Sequence, residues 1–242
     1  MKKMILFAAL LVALSATAAS AAGVSVNWGN ECWGVTPVSS LTWACTNNTF
    51  TGIRMTCTFK PAQDKTNFVG VGVFMEGVTN SDVATVPDWW KRNIGECNSP
   101  TTSSVTVSAD GSAAGCVDVW AGGGGGGLGL YSDELNRTHI NAAWASADPL
   151  PILAADENFA LQFRVSAVKS TGTGLCAGCT AGMTWGLQRI DVGYAGQSTD
   201  ETLDAAYGGG NQCLSYNGGN APCAQPVPAR NTTWGQVKSL YR

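Results

Sequence analysis

A single histidine, His139, and a charged fraction of 13% are the scarcest features of this 242-residue chain. Histidine is the commonest general base and metal ligand, so a Ser-His-Asp triad or a multi-histidine metal centre has almost nothing to build on. The charged share is about half the usual one, and no acidic or basic block is longer than a pair. That leaves no electrostatic handle for nucleic acid or an anionic membrane surface. Helical periodicity is nearly absent. After residue 21 no apolar run reaches the roughly 20 residues that a transmembrane helix needs. A hydrophobic share of 45% in turn excludes a disordered chain.

The amino terminus reads as an export leader. Lys2 and Lys3 precede an apolar run from Met4 to Leu14, and Ala19-Ser20-Ala21 supplies a small-x-small cleavage signal. Residues 1–21 are therefore expected to be a signal peptide, and residues 22–242 a single domain that is secreted, periplasmic or at the cell surface. Residue 22 is alanine rather than cysteine, which excludes a lipoprotein anchor at that site. The leader removes two of 14 basic residues and no acidic ones, so the mature chain has 12 basic against 17 acidic residues, a net charge of −5.

What the chain has is alternation. Val24, Val26 and Trp28 share one face; Ile53, Met55, Cys57 and Phe59 alternate with Arg54, Thr56, Thr58 and Lys60; Val69, Val71, Val73 and Met75 alternate with Gly70 and Gly72. Further strands are expected at Val105–Val107, Ile140–Trp144, Phe159–Ala167 and Thr233–Val237. The stretch Met183–Tyr194 changes face near Arg189, which a β-bulge would reconcile. Asp110-Gly111, Asp148-Pro149, residues 170–174 and residues 217–220 read as turns. The glycine run Gly122–Gly127 reads as a flexible surface loop, because neither a lysine nor a helix follows to make it a phosphate loop. A Gly/Asn/Pro-rich excursion is expected over about 208–230. Many short strands with such punctuation predict an all-β fold: a disulfide-stapled, mostly antiparallel, jelly-roll-like β-sandwich.

Nine cysteines are an odd number for an oxidising compartment. Cys57 shares the parity of Ile53, Met55 and Phe59, so it is expected to be the free, buried thiol. Spacing does not fix the connectivity of the other eight. Proximity suggests Cys32 with Cys45, Cys97 with Cys116, Cys176 with Cys179, and Cys213 with Cys223. Cys176-Ala177-Gly178-Cys179 lacks the helix that a thioredoxin-like redox motif requires, and no second close pair exists to make a zinc ribbon.

Several blocks carry a resemblance: Val86-Pro87-Asp88-Trp89-Trp90, Gly115-Cys116-Val117-Asp118-Val119-Trp120-Ala121-Gly122, Phe163-Arg164-Val165 through Lys169-Ser170 to Cys179, and Asn231-Thr232-Thr233-Trp234. With these the chain resembles a group of uncharacterised exported bacterial proteins over most of its mature length. The resemblance implies export and brings no activity, cofactor or partner. It also implies a further cysteine a few residues beyond the CxxC, where this chain has Met183, a departure that bears on the 176–179 pairing.

Catalytic chemistry finds little support. A glycosidase needs two carboxylates across a cleft, and the adjacent pairs Asp133-Glu134, Asp156-Glu157 and Asp200-Glu201 read as solvated loop residues. No G-x-S-x-G elbow and no D-x-[DN]-x-[DN]-G loop occurs, so neither a serine hydrolase nor a calcium loop is predicted, and no metal or cofactor is expected. Tryptophan is the plentiful functional group. In an extended Asp88-Trp89-Trp90 segment the two rings would face opposite ways, and Trp89, Trp90 and Trp120 are the candidates for stacking against sugar rings. The sequence reads as a non-enzymatic extracellular structural or adhesive β-sandwich. A carbohydrate-binding module with a polysaccharide partner is the alternative, and a hydrolase using loop carboxylates stands behind it.

Overall fold

The β-periodic stretches become strands in the computed structural model, which describes residues 21–80, 82–98, 105–121, 123–132 and 136–223. The leader up to Ser20, the pair Asp133-Glu134, the expected strand Thr233–Val237 and the block 231–234 lie outside those residues. Among the described residues, twelve strands build two sheets that pack face to face. The smaller sheet runs β1 (Gly23–Trp28), β3 (Arg54–Lys60), β9 (Asn158–Val165), β5 (Val105–Ser108), with β6 (Val117–Asp118) beside β9. The larger runs β2 (Ser40–Leu41), β12 (Cys213–Tyr216), β10 (Met183–Tyr194), β4 (Lys65–Thr79), β8 (Arg137–Ile152), β7 (Gly125–Tyr131), with β11 (Glu201–Leu203) beside β10. All pairings are antiparallel except β6 with β9 and β12 with β2. The chain is thus a mostly antiparallel β-sandwich with four disulfides.

The inward-facing residues fill the space between the sheets. Cys57 Sγ on β3 lies 3.6 Å from Met75 Sδ on β4, and Phe59 packs at 5.9 Å on Phe68, which packs at 5.3 Å on Trp120. Cys57 is the one free cysteine among the described residues and is fully buried. The alternation holds along β10 up to a register slip against β4 between Leu187 and Arg189, where the sequence changes face. Two further slips in β4, around Phe68, turn Phe68 inward and leave Val69 half-buried, against the parity expected of Val69.

Other expectations are corrected. Asp148-Pro149 is no turn, since β8 continues to Ile152. Pro149 is tolerated because β7 ends its pairing at Ala145, so among the described residues this end of β8 has a strand neighbour on one side only. The glycine run is strand from Gly125 onward. Within the expected excursion, Cys213–Tyr216 forms a sheet strand between β10 and β2. Thr56 and Thr58, on the presumed solvent face of β3, are fully buried. Loops cover that face and satisfy its polar groups: Thr56 Oγ1 donates to the Gly29 carbonyl at 2.8 Å, and Asn27 Nδ2 donates to the Glu31 and Thr36 carbonyls at 2.8 and 2.9 Å.

Pairing the cysteines by proximity fails for three bridges of four. The structure joins Cys32 to Cys116, Cys45 to Cys179, Cys97 to Cys176, and Cys213 to Cys223. The two cysteines of the CxxC therefore reach different partners, because the β9–β10 loop that carries them lies against the segments holding Cys45 and Cys97. The three long bridges close 84, 134 and 79 residues. In the chain-entropy view, loops near 100 residues each stabilise the fold by about 4–5 kcal/mol.

Candidate binding surface

Burial decides the fate of the proposed sugar platform. Trp89 and Trp90 are 0% exposed and Trp120 is 2% exposed. Behind Pro87 the chain turns as a 3-10 helix over Asp88–Trp90 rather than running extended, so both rings enter the core together. They meet edge-on at 4.6 Å, and Trp90 packs at 5.1 Å on Tyr216 and 5.5 Å on Trp185. Trp120 is held by its indole N–H, which donates to the Ala160 carbonyl at 2.7 Å. None of the three offers a ring face to solvent, which corrects their reading as stacking residues. Trp33 and Trp144 are the half-exposed tryptophans among the described residues.

Two of the carboxylates offered for hydrolysis, Glu157 and Glu201, are taken up in the architecture. Glu157 accepts from the Trp33 and Gly34 amides at 3.0 and 2.9 Å, from Thr58 Oγ1 at 2.8 Å and from the Tyr207 hydroxyl at 2.6 Å. It thereby clamps a loop to β3. Glu201 accepts from the Ala62 amide at 2.8 Å and from the Tyr194 hydroxyl. Burial, with Asp191 nearby, raises the Asp200 carboxyl above its ordinary value.

The outer face of the larger sheet is built differently from the covered face of the smaller one. Across it run paired side chains. Tyr131 on β7 stacks on His139 of β8 with ring centres 4.6 Å apart, and His139 Nδ1 stands 3.9 Å from Glu76 on β4, which Arg137 also pairs. One row along, the Arg189 guanidinium lies 4.0 Å over the Phe74 ring and pairs with Asp191 at 3.1 Å. Between these rows Asn141 Nδ2 donates to the Tyr131 hydroxyl at 3.3 Å.

At the margin of this face lies β7, Gly-Gly-Gly-Leu-Gly-Leu-Tyr, whose one strand neighbour among the described residues is β8. Leu128 and Leu130 turn toward the core, while Gly125, Gly127, Gly129 and Tyr131 are exposed. The glycines divide into two sets. A Cβ on Gly126 would run into the Ala143 carbonyl oxygen and come within 2.6 Å of Trp144 Cε3, and one on Gly124, at φ +94°, would stand 2.9 Å from Trp144 Nε1. A Cβ on Gly125 or Gly127 would meet nothing within 4 Å. The first set lets the Trp144 indole lie over the strand; the second leaves the strand's outer face free of side chains.

Comparison with known proteins adds little to this geometry. No family model and no curated protein matches the chain. Among solved structures it is similar to a type III cohesin module from the cellulosomal ScaE cell-surface anchoring scaffoldin of Ruminococcus flavefaciens, at 10% identity and a TM-score of 0.29, over 83% of this chain and 89% of that one. So low a score bears on neither partner nor activity.

What the sequence missed is this edge. Its signal was present in Leu128, Leu130 and their alternation with glycine, but the glycines masked a strand as a loop.

Proposed function

We propose that this is an exported, non-catalytic binding module of the structural or adhesive kind, and that it takes an extended polypeptide segment of a partner along β7. The observation that supports this most is the β7 edge itself, which no other described strand pairs. An open strand presents a row of unpaired N–H and C=O groups, and folded proteins commonly blunt such edges with lysine, proline or a bulge. Gly125–Tyr131 contains no charge and no proline, and its exposed positions are glycine up to Tyr131. A partner strand can approach such a backbone without displacing side chains, which is how strand addition achieves affinity. Four disulfides suit an oxidising compartment outside the cytoplasm. Two of the carboxylates that hydrolysis could use, Glu157 and Glu201, are engaged in hydrogen bonds that hold the architecture together.

The test is selection of peptides from a phage-displayed library on the wild-type protein, followed by binding to a Gly127→Lys/Gly129→Lys double variant. A Cβ meets nothing within 4 Å at Gly127 and comes no nearer than 3.8 Å to an atom at Gly129, so the variant should fold. Strand-forming peptides that lose at least about tenfold in affinity on the variant are the expected result. Peptides that bind both proteins equally, or no enrichment, would overturn the proposal.

A further inference from the structure

Arg92 follows the Trp89-Trp90 turn and is fully buried, yet among the described residues none of its three guanidinium nitrogens has a hydrogen-bond partner. A buried charge is normally paired, because removing an ion from water costs far more than an aromatic neighbour restores. The neighbours here are aromatic: the guanidinium carbon stands 5.5 Å from the Trp90 ring centre and 5.9 Å from that of Trp89. Such cation–π contacts each offset a fraction of the desolvation. Burial pulls the Arg92 pKa down to about 9, still above neutral pH, so deprotonation does not resolve the conflict.

The same corner holds a second anomaly. The indole nitrogens of Trp90 and Trp185, whose rings pack at 5.5 Å, are also buried without acceptors. The Trp89 indole, by contrast, donates to Ser170 Oγ at 3.0 Å, so the local architecture can satisfy an indole where the fold requires it. Arg92, Trp90 and Trp185 thus form one packed group whose unsatisfied nitrogens are all N–H donors. Among the described residues, this group of donors, carrying one positive charge, has no acceptor that carries a negative charge. We propose that the Arg92–Trp90–Trp185 corner binds a small monovalent anion of the halide class. The bound ion would neutralise the guanidinium and accept from N–H groups that otherwise go unmet. The enclosed, aromatic setting selects against large, strongly hydrated anions such as sulfate, for which stripping water costs more. The ion would be a structural component of the loop that carries Trp89 and Trp90 into the core.

The experiment uses the whole exported protein. Crystals grown in sodium bromide should show an anomalous peak in hydrogen-bond contact with the Arg92 guanidinium. In solution, the wild-type Tm should rise by several degrees from sodium gluconate to sodium chloride at equal ionic strength, as linkage requires of a ligand that binds only the folded state. Arg92→Met keeps the length of the side chain and removes the charge; it should abolish the chloride dependence. If Arg92→Met does not fold, the bromide map of the wild type decides alone. Absence of bromide at Arg92, or a chloride effect that persists in a folded Arg92→Met, would overturn the proposal.

Discussion

Alanine at two adjacent glycines of β7 should have opposite effects on stability. At Gly126 the new Cβ would be driven into the Ala143 carbonyl oxygen, with Trp144 Cε3 at 2.6 Å and Trp144 Cα at 2.9 Å. Two of those three atoms are backbone of β8, so relief requires β7 and β8 to separate locally. Overpacking of this kind costs about 1–3 kcal/mol. At Gly127 nothing lies within 4 Å, and its backbone is not in the left-handed region. There the methyl adds no clash and restricts the unfolded chain, which stabilises by about 0.4–1 kcal/mol. The two variants should therefore differ by about 1.5–4 kcal/mol, or roughly 3–16 °C in Tm for a domain of this size. Thermal unfolding followed by near-ultraviolet circular dichroism, with disulfides intact, reads this directly, since Trp144 reports on the strand. Equal shifts at the two positions would refute the placement of the glycine run as a strand under Trp144.

Three further outcomes follow from burial and hydrogen bonding. Trp120→Ala should lose about 3–5 kcal/mol in denaturant unfolding, the cost of emptying a core site, rather than behave as a surface change. Glu157→Gln removes the charge that four donors share and should cost about 1–3 kcal/mol, with loss of the Trp33 near-ultraviolet signal; an unchanged midpoint would show that the clamp is idle. Burial raises Cys57, Tyr194, Tyr207 and Tyr216 above their ordinary values, with Glu201 assisting at Tyr194 and Glu157 at Tyr207. Each raised group favours its neutral form in the fold, so its contribution is complete below the unfolded pKa and is lost as pH climbs toward the folded one, at about 1.4 kcal/mol per pH unit. The denaturation midpoint should hold near neutrality and fall from about pH 9 upward, where thiols and then phenols of the unfolded chain ionise.

The strands β1, β3, β4, β5, β8, β9 and β10 were legible because two-residue periodicity survives in the side chains themselves, and the bulge near Arg189 was legible where that periodicity breaks. The inward parity of Cys57 could be read in the same way. The disulfide partners could not, since contact between Cys45 and Cys179 across 134 residues is a property of how the sheets close, not of spacing. Tryptophan exposure failed for a local reason: Pro87 introduces a 3-10 turn, and in a turn neighbouring rings need not face opposite ways. The edge strand was hidden because glycine normally signals a loop, whereas here alternate glycines accommodate an indole from the neighbouring strand.

The claim that β7 is the binding edge is tested most directly by amide hydrogen exchange of Gly125–Tyr131, in the free protein and with a saturating strand-forming peptide from the library selection. In an antiparallel edge strand alternate residues direct their N–H groups away from the sheet. The account predicts that the peptide slows those outward amides at least about tenfold while the exchange of β1 and β3 stays unchanged. Protection confined to other strands or loops, with β7 exchanging as in the free protein, would contradict it.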